Sequence, residues 1–173
     1  MQNILITGLP RTGKTTLILD VIKEMEKEVI GFVTKEILVN NRREGFSIET
    51  FSGLNKILAS KKHTEGKFRV ASYGVYVENV DLVVKELNIR FEQQKHDLIV
   101  IDEIGKMELF SFDFRKFVQK CLDTKKVLGT IMLRDNEFTR NIKNRKDTLV
   151  FNLTKENREN VRKRIMELVK QYA

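Results

Sequence analysis

The residues best suited to chemistry lie near the N-terminus, in the segment Gly8-Leu9-Pro10-Arg11-Thr12-Gly13-Lys14-Thr15. The segment fits G-x-x-x-x-G-K-[ST] without a gap, and it follows an apolar run and opens a helical pattern. Glycines allow the backbone to approach a ligand closely, so that successive N–H groups can point at one anion. The helix that follows adds a positive N-terminal dipole. The segment therefore predicts a phosphate-binding loop rather than an ordinary glycine-rich turn.

Three side chains at the end of this loop have distinct expected roles. We expect Lys14 to reach the β- and γ-phosphates of a nucleotide and the Thr15 hydroxyl to bind Mg²⁺. Thr16 is placed to contact the α-phosphate. Together with residues 8–13, these side chains form the expected nucleotide-binding set.

A second group of candidates follows the apolar run Leu98-Ile99-Val100-Ile101. Such a run is typical of a strand covered on both faces, and Asp102 and Glu103 come where that strand would emerge. Ligands of α/β proteins bind at the carboxyl ends of strands. We expect Asp102 to hold Mg²⁺ through a water and Glu103 to orient or deprotonate the water that attacks the γ-phosphorus. Taken alone, the pair also fits a solvated acidic turn.

An arginine is useful at such a site, because a transferred phosphoryl group spreads negative charge over its oxygens. Arg42 and Arg43 are favoured, since alternating apolar residues around a polar turn predict a protruding β-hairpin over residues 35–51. On a later predicted strand, Thr130 is either a sensor of the γ-phosphate or a packing residue. The other candidate arginines are Arg11, Arg134 and Arg158.

Alternating strand and helix patterns must position these residues. Apolar runs predict strands at 3–7, 29–34, 98–101, 127–133 and 148–153. Helical spacing predicts helices at 14–27, 80–94, 111–122, 137–143 and 155–172, the third with Ser111 as its N-cap. Between 52 and 72 only short strands near 57–58 and 68–70 are expected. The alternation predicts parallel βαβ units in a three-layer α/β fold, with residues 1–173 as one domain.

Composition narrows the class of protein. A 41% hydrophobic and 32% charged chain suits a globular domain, and no apolar run approaches the roughly 20 residues of a membrane span. With no signal-like N-terminus either, we expect a cytoplasmic protein and, by default, a monomer. Cys121 is the only cysteine, which excludes an intramolecular disulfide, and its helical context predicts burial. The net charge of +8 leaves a nucleic-acid partner open but not favoured, because acids and bases are interleaved.

These motifs together resemble the THEP1-type nucleoside-triphosphatases, and the resemblance runs almost end to end. Its most specific part is Ile101-Asp102-Glu103-Ile104-Gly105-Lys106-Met107-Glu108-Leu109-Phe110-Ser111. The resemblance implies a RecA-like P-loop fold, with a mostly parallel central sheet and a hairpin extension. It also implies Mg²⁺-dependent hydrolysis of ATP, GTP and other triphosphates to the diphosphate and phosphate, with broad base selectivity, and it places residues 98–105 along the nucleotide.

The sequence departs from the family pattern at three positions. Arg11 stands where the family often has glycine, Leu38 where an arginine is usual, and Tyr76 where an aspartate is usual. The first departure adds charge to the loop, and the other two leave the catalytic contribution of the hairpin open. None touches the expected phosphate or magnesium groups.

Two other functions share part of this pattern. A nucleotide or polynucleotide kinase would use the same loop with a different phosphoryl acceptor, although Glu103 beside Asp102 favours water as the acceptor. A nucleic-acid-binding module switched by ATP would account for the positive charge, but no nucleic-acid-binding motif supports it.

Overall fold

Strands and helices alternate along the computed structural model, which describes residues 1–172. The strands are β1 (Asn3–Thr7), β2 (Val29–Val39), β3 (Arg42–Thr50), β4 (Asn55–Ser60), β5 (Arg69–Val70), β6 (Tyr73–Val75), β7 (Leu98–Ile104), β8 (Val127–Ile131) and β9 (Thr148–Asn152). The helices are α1 (Lys14–Met25), α2 (Val77–Gln93), α3 (Phe112–Asp123), α4 (Glu137–Lys143) and α5 (Arg158–Val169), and a 3₁₀ turn lies at Glu108–Phe110.

The nine described strands form one mixed sheet in the order β5-β6-β4-β3-β2-β7-β8-β1-β9. The five strands from β2 to β9 in that order pair in parallel, whereas β3, β4, β5 and β6 add an antiparallel extension. This arrangement confirms the predicted mostly parallel sheet with a hairpin extension. Strand β8 lies between β1 and β7, so the strand before the glycine-rich loop and the strand that ends in acids are not neighbours.

Helices cover both faces of the sheet and give the three predicted layers. Along β7, Leu98 and Val100 belong to one apolar cluster and Ile99 and Ile101 to the other, as the two-residue period of a strand requires. Helices α1 and α5 contribute to the first cluster, and α2 and α3 to the second. Both faces of β7 are buried, which explains its unbroken apolar run.

The predicted hairpin over residues 35–51 is confirmed, and its first strand is continuous with the strand predicted at 29–34. Strand β2 continues five residues beyond the predicted end at 34, because it pairs with β3 up to Val39 and Arg42. Asn40 and Asn41 form the turn with φ of 49° and 60°, a backbone region that asparagine tolerates. Arg42 and Arg43 therefore lie on β3 and not in the turn.

Several boundaries also differ from prediction. Strand β6 was not predicted, β7 extends through the acids to Ile104, and α2 begins at Val77 rather than 80. Helix α5 begins at Arg158 rather than 155, because Thr154 and Asn157 hold the preceding turn. The Thr154 N–H donates to Asn157 Oδ1 at 2.8 Å, and the Asn157 N–H donates to Thr154 Oγ1 at 3.2 Å. Ser111 caps α3 as predicted, accepting from the Phe114 N–H.

Within residues 1–172, none of the helices combines the length and apolarity that crossing a membrane requires.

Candidate active site

Two glycines shape the loop between β1 and α1. Gly8 has φ of 151°, and a Cβ there would lie 2.6 Å from the Leu153 carbonyl oxygen. Gly13 is left-handed with φ of 85°, and a Cβ there would lie 2.7 Å from Arg158 Nη1. Gly13 is also the N-cap of α1, so the loop leads directly into the helix N-terminus. The backbone N–H groups of the first helical turn are thus available to an anion, as the sequence predicts.

The Lys14 ammonium is folded over this loop. Its Nζ donates to the carbonyl oxygens of Gly8 at 3.1 Å and Leu9 at 2.9 Å. The side chain is half-buried and lines a cavity above the loop. Its positive charge is therefore held where polyphosphate oxygens would approach.

The Asp102 carboxylate joins the loop to the acid-bearing strand. Its Oδ2 accepts from the Thr15 hydroxyl at 2.7 Å, and its Oδ1 accepts from the Thr130 hydroxyl at 2.5 Å. The residue is 2% exposed, and this burial raises the pKa of Asp102, while the two hydroxyl bonds and the Lys14 charge oppose the rise. Thr130 is fully buried, as the packing interpretation expects, and its hydroxyl also holds the carboxylate; a role as phosphate sensor stays a prediction.

Thr15 and Asp102 fit a Mg²⁺ site by the chemistry of their donors. Magnesium prefers hard oxygen ligands and is commonly bound through one or two protein oxygens, with phosphates and waters completing the shell. One hydroxyl and one carboxylate meet here at the mouth of the loop. No cluster of three or more His, Cys, Asp or Glu able to hold a metal occurs among the described residues. A metal at this position would therefore depend on substrate phosphates.

Two further carboxyls lie beside Asp102. Burial, followed by the charge of Asp102, raises the pKa of Glu103, and the Lys14 ammonium lowers it. Glu108 is 4% exposed, and burial followed by the charge of Glu103 raises its pKa well above the usual range. Both side chains lie against Gly105, where a Cβ would be 2.5 Å from Glu103 Oε1 and 3.0 Å from Glu108 Oε2. The sequence interpretation gave Glu108 no role, although an acid between apolar Met107 and Leu109 was a usable signal.

The hairpin arginines differ in placement. Arg43 lines the cavity and is fixed there: its Nε donates to the Tyr73 hydroxyl at 3.1 Å and its Nη1 to Glu36 Oε1 at 2.9 Å. Its guanidinium also lies 5.3 Å from the ring centroid of Phe46. Arg42, two positions from the Asn40 turn residue, is exposed and lies outside the cavity lining.

The other three arginines surround the loop at different distances. Arg11, 72% exposed, approaches Glu36 Oε1 at 3.7 Å on the rim of the cavity. Arg134 also lines the rim. Arg158 lies beneath the loop, where its Nη1 donates to the Gly13 carbonyl at 2.9 Å and its Nη2 to Asp20 at 3.3 Å. Arg158 therefore supports the loop through its backbone and lies outside the cavity lining.

These groups meet in one cavity of about 540 Å³ at the carboxyl ends of β1 and β7. Of the predicted nucleotide-binding residues, Gly8, Pro10, Arg11, Gly13, Lys14, Thr15, Thr16, Asp102 and Glu103 line it. The expectation that all of residues 98–105 run along the nucleotide needs correction. Leu98, Ile99, Val100, Ile101 and Ile104 are fully buried in the sheet, because β7 is covered on both faces. Leu9, Thr12 and Gly105 also lie outside the lining.

Known proteins resemble this chain over nearly its full length. A family model described as NTPase matches residues 3–166. The nucleoside-triphosphatase THEP1 of Thermotoga maritima is 38% identical over 171 residues, which cover 98% of this chain and 96% of that protein. The cancer-related nucleoside-triphosphatase of Homo sapiens is 37% identical over 175 residues, 92% of each chain. The crystal structure of THEP1 from Aquifex aeolicus superposes with a TM-score of 0.84 at 35% identity, covering 99% of this chain and 100% of that one.

Proposed function

Since this chain belongs to the THEP1-type nucleoside-triphosphatases and is a hydrolase of nucleoside triphosphates, we propose that it works with Mg²⁺ at the loop of residues 8–16. The substrates are ATP, GTP and other nucleoside triphosphates, and the products are the diphosphate and phosphate. The observation that carries this proposal is the 2.7 Å hydrogen bond from Thr15 to Asp102. It brings the glycine-rich loop and the acid-bearing strand into one site.

The polyphosphate is held by the loop. Backbone N–H groups at the start of α1 and the Lys14 ammonium bind the β- and γ-phosphate oxygens and offset charge that develops during transfer. Thr15 and Asp102 are the residues that would hold Mg²⁺, which neutralises phosphate charge when bound. Thr130 keeps the Asp102 carboxylate in position from the buried side.

Glu103 is the proposed base. Its carboxylate accepts a proton from a water whose oxygen attacks the γ-phosphorus, and the bond to the β–γ bridging oxygen breaks. The electron pair of that bond leaves with the nucleoside diphosphate. The raised pKa of Glu103 makes it a stronger base than an ordinary glutamate, while the nearby Lys14 keeps it accessible to ionisation.

Broad base selectivity belongs to the same proposal. The contacts proposed above are all to the polyphosphate and to Mg²⁺. These parts are the same in every Mg-bound nucleoside triphosphate. We therefore expect phosphate release from ATP, GTP, CTP and UTP at rates within about tenfold of one another, because only the unread base differs.

Removing the Lys14 ammonium tests the assignment of the loop. We expect Lys14→Ala to lower kcat/KM for Mg-ATP by roughly a hundredfold or more, the usual cost of losing a charged donor to the transition state. Lys163→Ala is the matched control, since Lys163 is exposed on α5. The measurement is phosphate release with and without Mg²⁺. Equal rates for wild type and Lys14→Ala would remove the loop from the reaction.

A further inference from the structure

Apolar side chains line a large part of the cavity, and the proposed hydrolysis does not use them. Five of them form what we term the apolar wall: Phe46, Leu58, Val70, Met107 and Met132. All five also pack with the apolar cluster on the α2 and α3 side of the sheet, so the wall is a continuation of the core into the cavity. A water nucleophile needs a base and room for one molecule. An apolar concave surface instead favours the apolar body of a ligand.

Most of the apolar wall lies on the far side of Asp102 and Glu103 from the loop. Three of its members stand on β3, β4 and β5, which lie beyond β7 and β2 on the side of the sheet away from β1. Asp102 and Glu103, at the end of β7, therefore stand between the loop and most of the wall. The α-phosphate is expected near Thr16 on α1, so the nucleoside would leave the loop in a different direction. The wall is thus placed to face the γ-phosphorus and not the base.

Polar groups at the edge of the wall suit a hydroxyl-bearing ligand. Glu103 lines the cavity beside Asp102 and Lys14 and is the proposed base. Glu108 is 4% exposed, lines the cavity beside Met107, and lies against Gly105 together with Glu103. At the opposite edge, Arg43 is held over Phe46. The apolar wall and the phosphate-binding loop line one continuous cavity of about 540 Å³, so an alcohol at the wall would share that cavity with the polyphosphate.

We propose that the apolar wall, with Glu103 and Glu108 at its edge, is an acceptor site for a small neutral alcohol with an aromatic or aliphatic body. The enzyme would then transfer the γ-phosphoryl group to that alcohol in competition with water. This inference rests on the proposed function, because it uses the same loop, the same donor nucleotide and the same base. It names a second substrate class for that site.

The transfer step balances with groups already present. The alcohol oxygen attacks the γ-phosphorus, and the bond between that phosphorus and the β–γ bridging oxygen breaks. Its electron pair leaves with the nucleoside diphosphate, and the hydroxyl proton passes to the Glu103 carboxylate. The products are a phosphate monoester, the diphosphate and, once Glu103 returns its proton to solvent, one proton. No oxidation or additional reactant is needed.

A product-partition assay tests the acceptor site. The enzyme is incubated with Mg-ATP and either benzyl alcohol or thymidine, with glycerol as a polar control, and phosphate esters and free phosphate are quantified by ³¹P NMR. We expect at least one of the two ring-bearing alcohols to be phosphorylated. The amount of its ester should saturate as the alcohol concentration rises and should exceed the amount of glycerol ester by about tenfold or more. If phosphate is released but benzyl alcohol and thymidine give no more ester than glycerol gives, the acceptor site is overturned and the proposed function is not. Absence of both products overturns the proposed function as well.

A larger side chain in the apolar wall should block the acceptor site. Val70→Tyr is expected to lower the ratio of ester to phosphate by about tenfold or more, because the new ring occupies acceptor space. Val39→Tyr is the control, since Val39 is 46% exposed near the tip of β2 and outside the cavity lining. An unchanged ratio in Val70→Tyr, with esters present, places the alcohol elsewhere and overturns the proposal.

Methyl NMR of the five methionines gives a readout that does not depend on turnover. With Mg-ADP present, benzyl alcohol is expected to shift the methyl signals of Met107 and Met132, which line the cavity. The signals of Met25 and Met166 should stay in place, since both pack on the opposite face of the sheet. Equal shifts of all four signals, or none, would contradict binding at the wall.

Discussion

At the residue scale, the two hairpin arginines occupy unlike environments although they are neighbours in sequence. The Arg43 guanidinium is fixed by Tyr73 and Glu36 at the cavity, whereas Arg42 extends into solvent on the other face of β3. Preorganisation matters here, because a charge already in place costs nothing to orient when the transferred group develops negative charge. Of the pair, only Arg43 lines the cavity.

We therefore expect Arg43→Ala to lower kcat for Mg-ATP about tenfold or more, as loss of a transition-state arginine does, and Arg42→Ala to change it less than about twofold. Steady-state phosphate release measures both. Each variant serves as the control for the other, because both remove an arginine side chain and the two positions are adjacent. Equal effects of the two substitutions would contradict the assignment of the role to Arg43 alone.

Glu108 predicts a pH-dependent stability difference. Burial, followed by the charge of Glu103, raises the pKa of Glu108 well above its usual range. In the unfolded chain the carboxyl ionises near pH 4.3, about its ordinary pKa. The folded state therefore binds more protons than the unfolded state above that pH, and stability falls as the pH rises until the folded pKa is passed.

Glu108→Gln removes this ionisation. We expect the free energy of unfolding of the variant, minus that of the wild type, to increase between about pH 4 and about pH 8. Urea denaturation at the two pH values measures the difference, and Glu65→Gln, at an exposed position, serves as control. A difference that is the same at both pH values would mean that Glu108 ionises normally in the folded protein.

The sequence predicted the residues whose chemistry depends on local spacing. Lys14 and Thr15 follow from one contiguous motif, and Asp102 and Glu103 follow from a strand ending in acids. The Thr130 bond to Asp102 could not be predicted, because it joins residues 28 positions apart through the pairing of β7 with β8. Nor could the difference between Arg42 and Arg43, which depends on which face of β3 each side chain occupies.

At the scale of elements, the contact between β2 and β7 places the hairpin against the site. Gly31 lies on β2 with φ of 124°, and a Cβ there would lie 1.9 Å from the Val100 carbonyl oxygen. Val100 is the partner of Gly31 in the parallel ladder. The close approach leaves room for hydrogen alone at this position, so the sheet extension depends on glycine here.

Gly31→Ala is consequently expected to lower the free energy of unfolding by about 3 kcal/mol or more, because backbone must move to admit the methyl group. Gly53→Ala is the control: its φ is 100°, but a Cβ there meets nothing within 4 Å. That substitution should cost only the backbone conformation, about 1 kcal/mol. Urea denaturation of both variants is the measurement, and similar losses would contradict the close contact of β2 with β7.

Elements with strong periodicity were predicted, and elements defined by pairing were not. The β1 strand and the α4 helix have the predicted bounds, since apolar pattern and caps fix them locally. Three-residue β6 was missed because its ladder to β4 carries little apolar signal of its own. The last five residues of β2, by contrast, belong to the hairpin that alternating apolar residues predicted.

At the scale of the whole molecule, the sheet has two halves with different tasks. The parallel half carries the loop and the acids at the carboxyl ends of its strands, where composition and motif predicted a site. The antiparallel half contributes Arg43 and three residues of the apolar wall, Phe46, Leu58 and Val70, to the cavity lining. The first half follows from the sequence, since each βαβ unit is local. The second half depends on the pairing of β3 with β2 and of β4, β5 and β6 with their neighbours, and of these the sequence predicted the hairpin and only short strands near 57–58 and 68–70.

Burial of the single cysteine agrees with its predicted place in the core. Cys121 is fully buried on α3, and burial raises the pKa of its thiol. The charged residues instead form ion pairs scattered over the surface, such as Arg90 with Glu86 and Arg164 with Glu167. Interleaved charges of this kind favour a solvated surface over a continuous nucleic-acid face. A monomeric, cytoplasmic enzyme stays a prediction.

The proposed mechanism depends most on Glu103, which would activate the water that attacks a nucleotide held by the loop. The most direct measurement is single-turnover hydrolysis of Mg-ATP by wild type and Glu103→Gln, with ATP affinity measured on both by calorimetry. We predict an affinity within about threefold and a hydrolysis rate lower by roughly a hundredfold or more, the usual contribution of a general base. A Glu103→Gln enzyme that binds ATP and hydrolyses it at the wild-type rate would contradict the account.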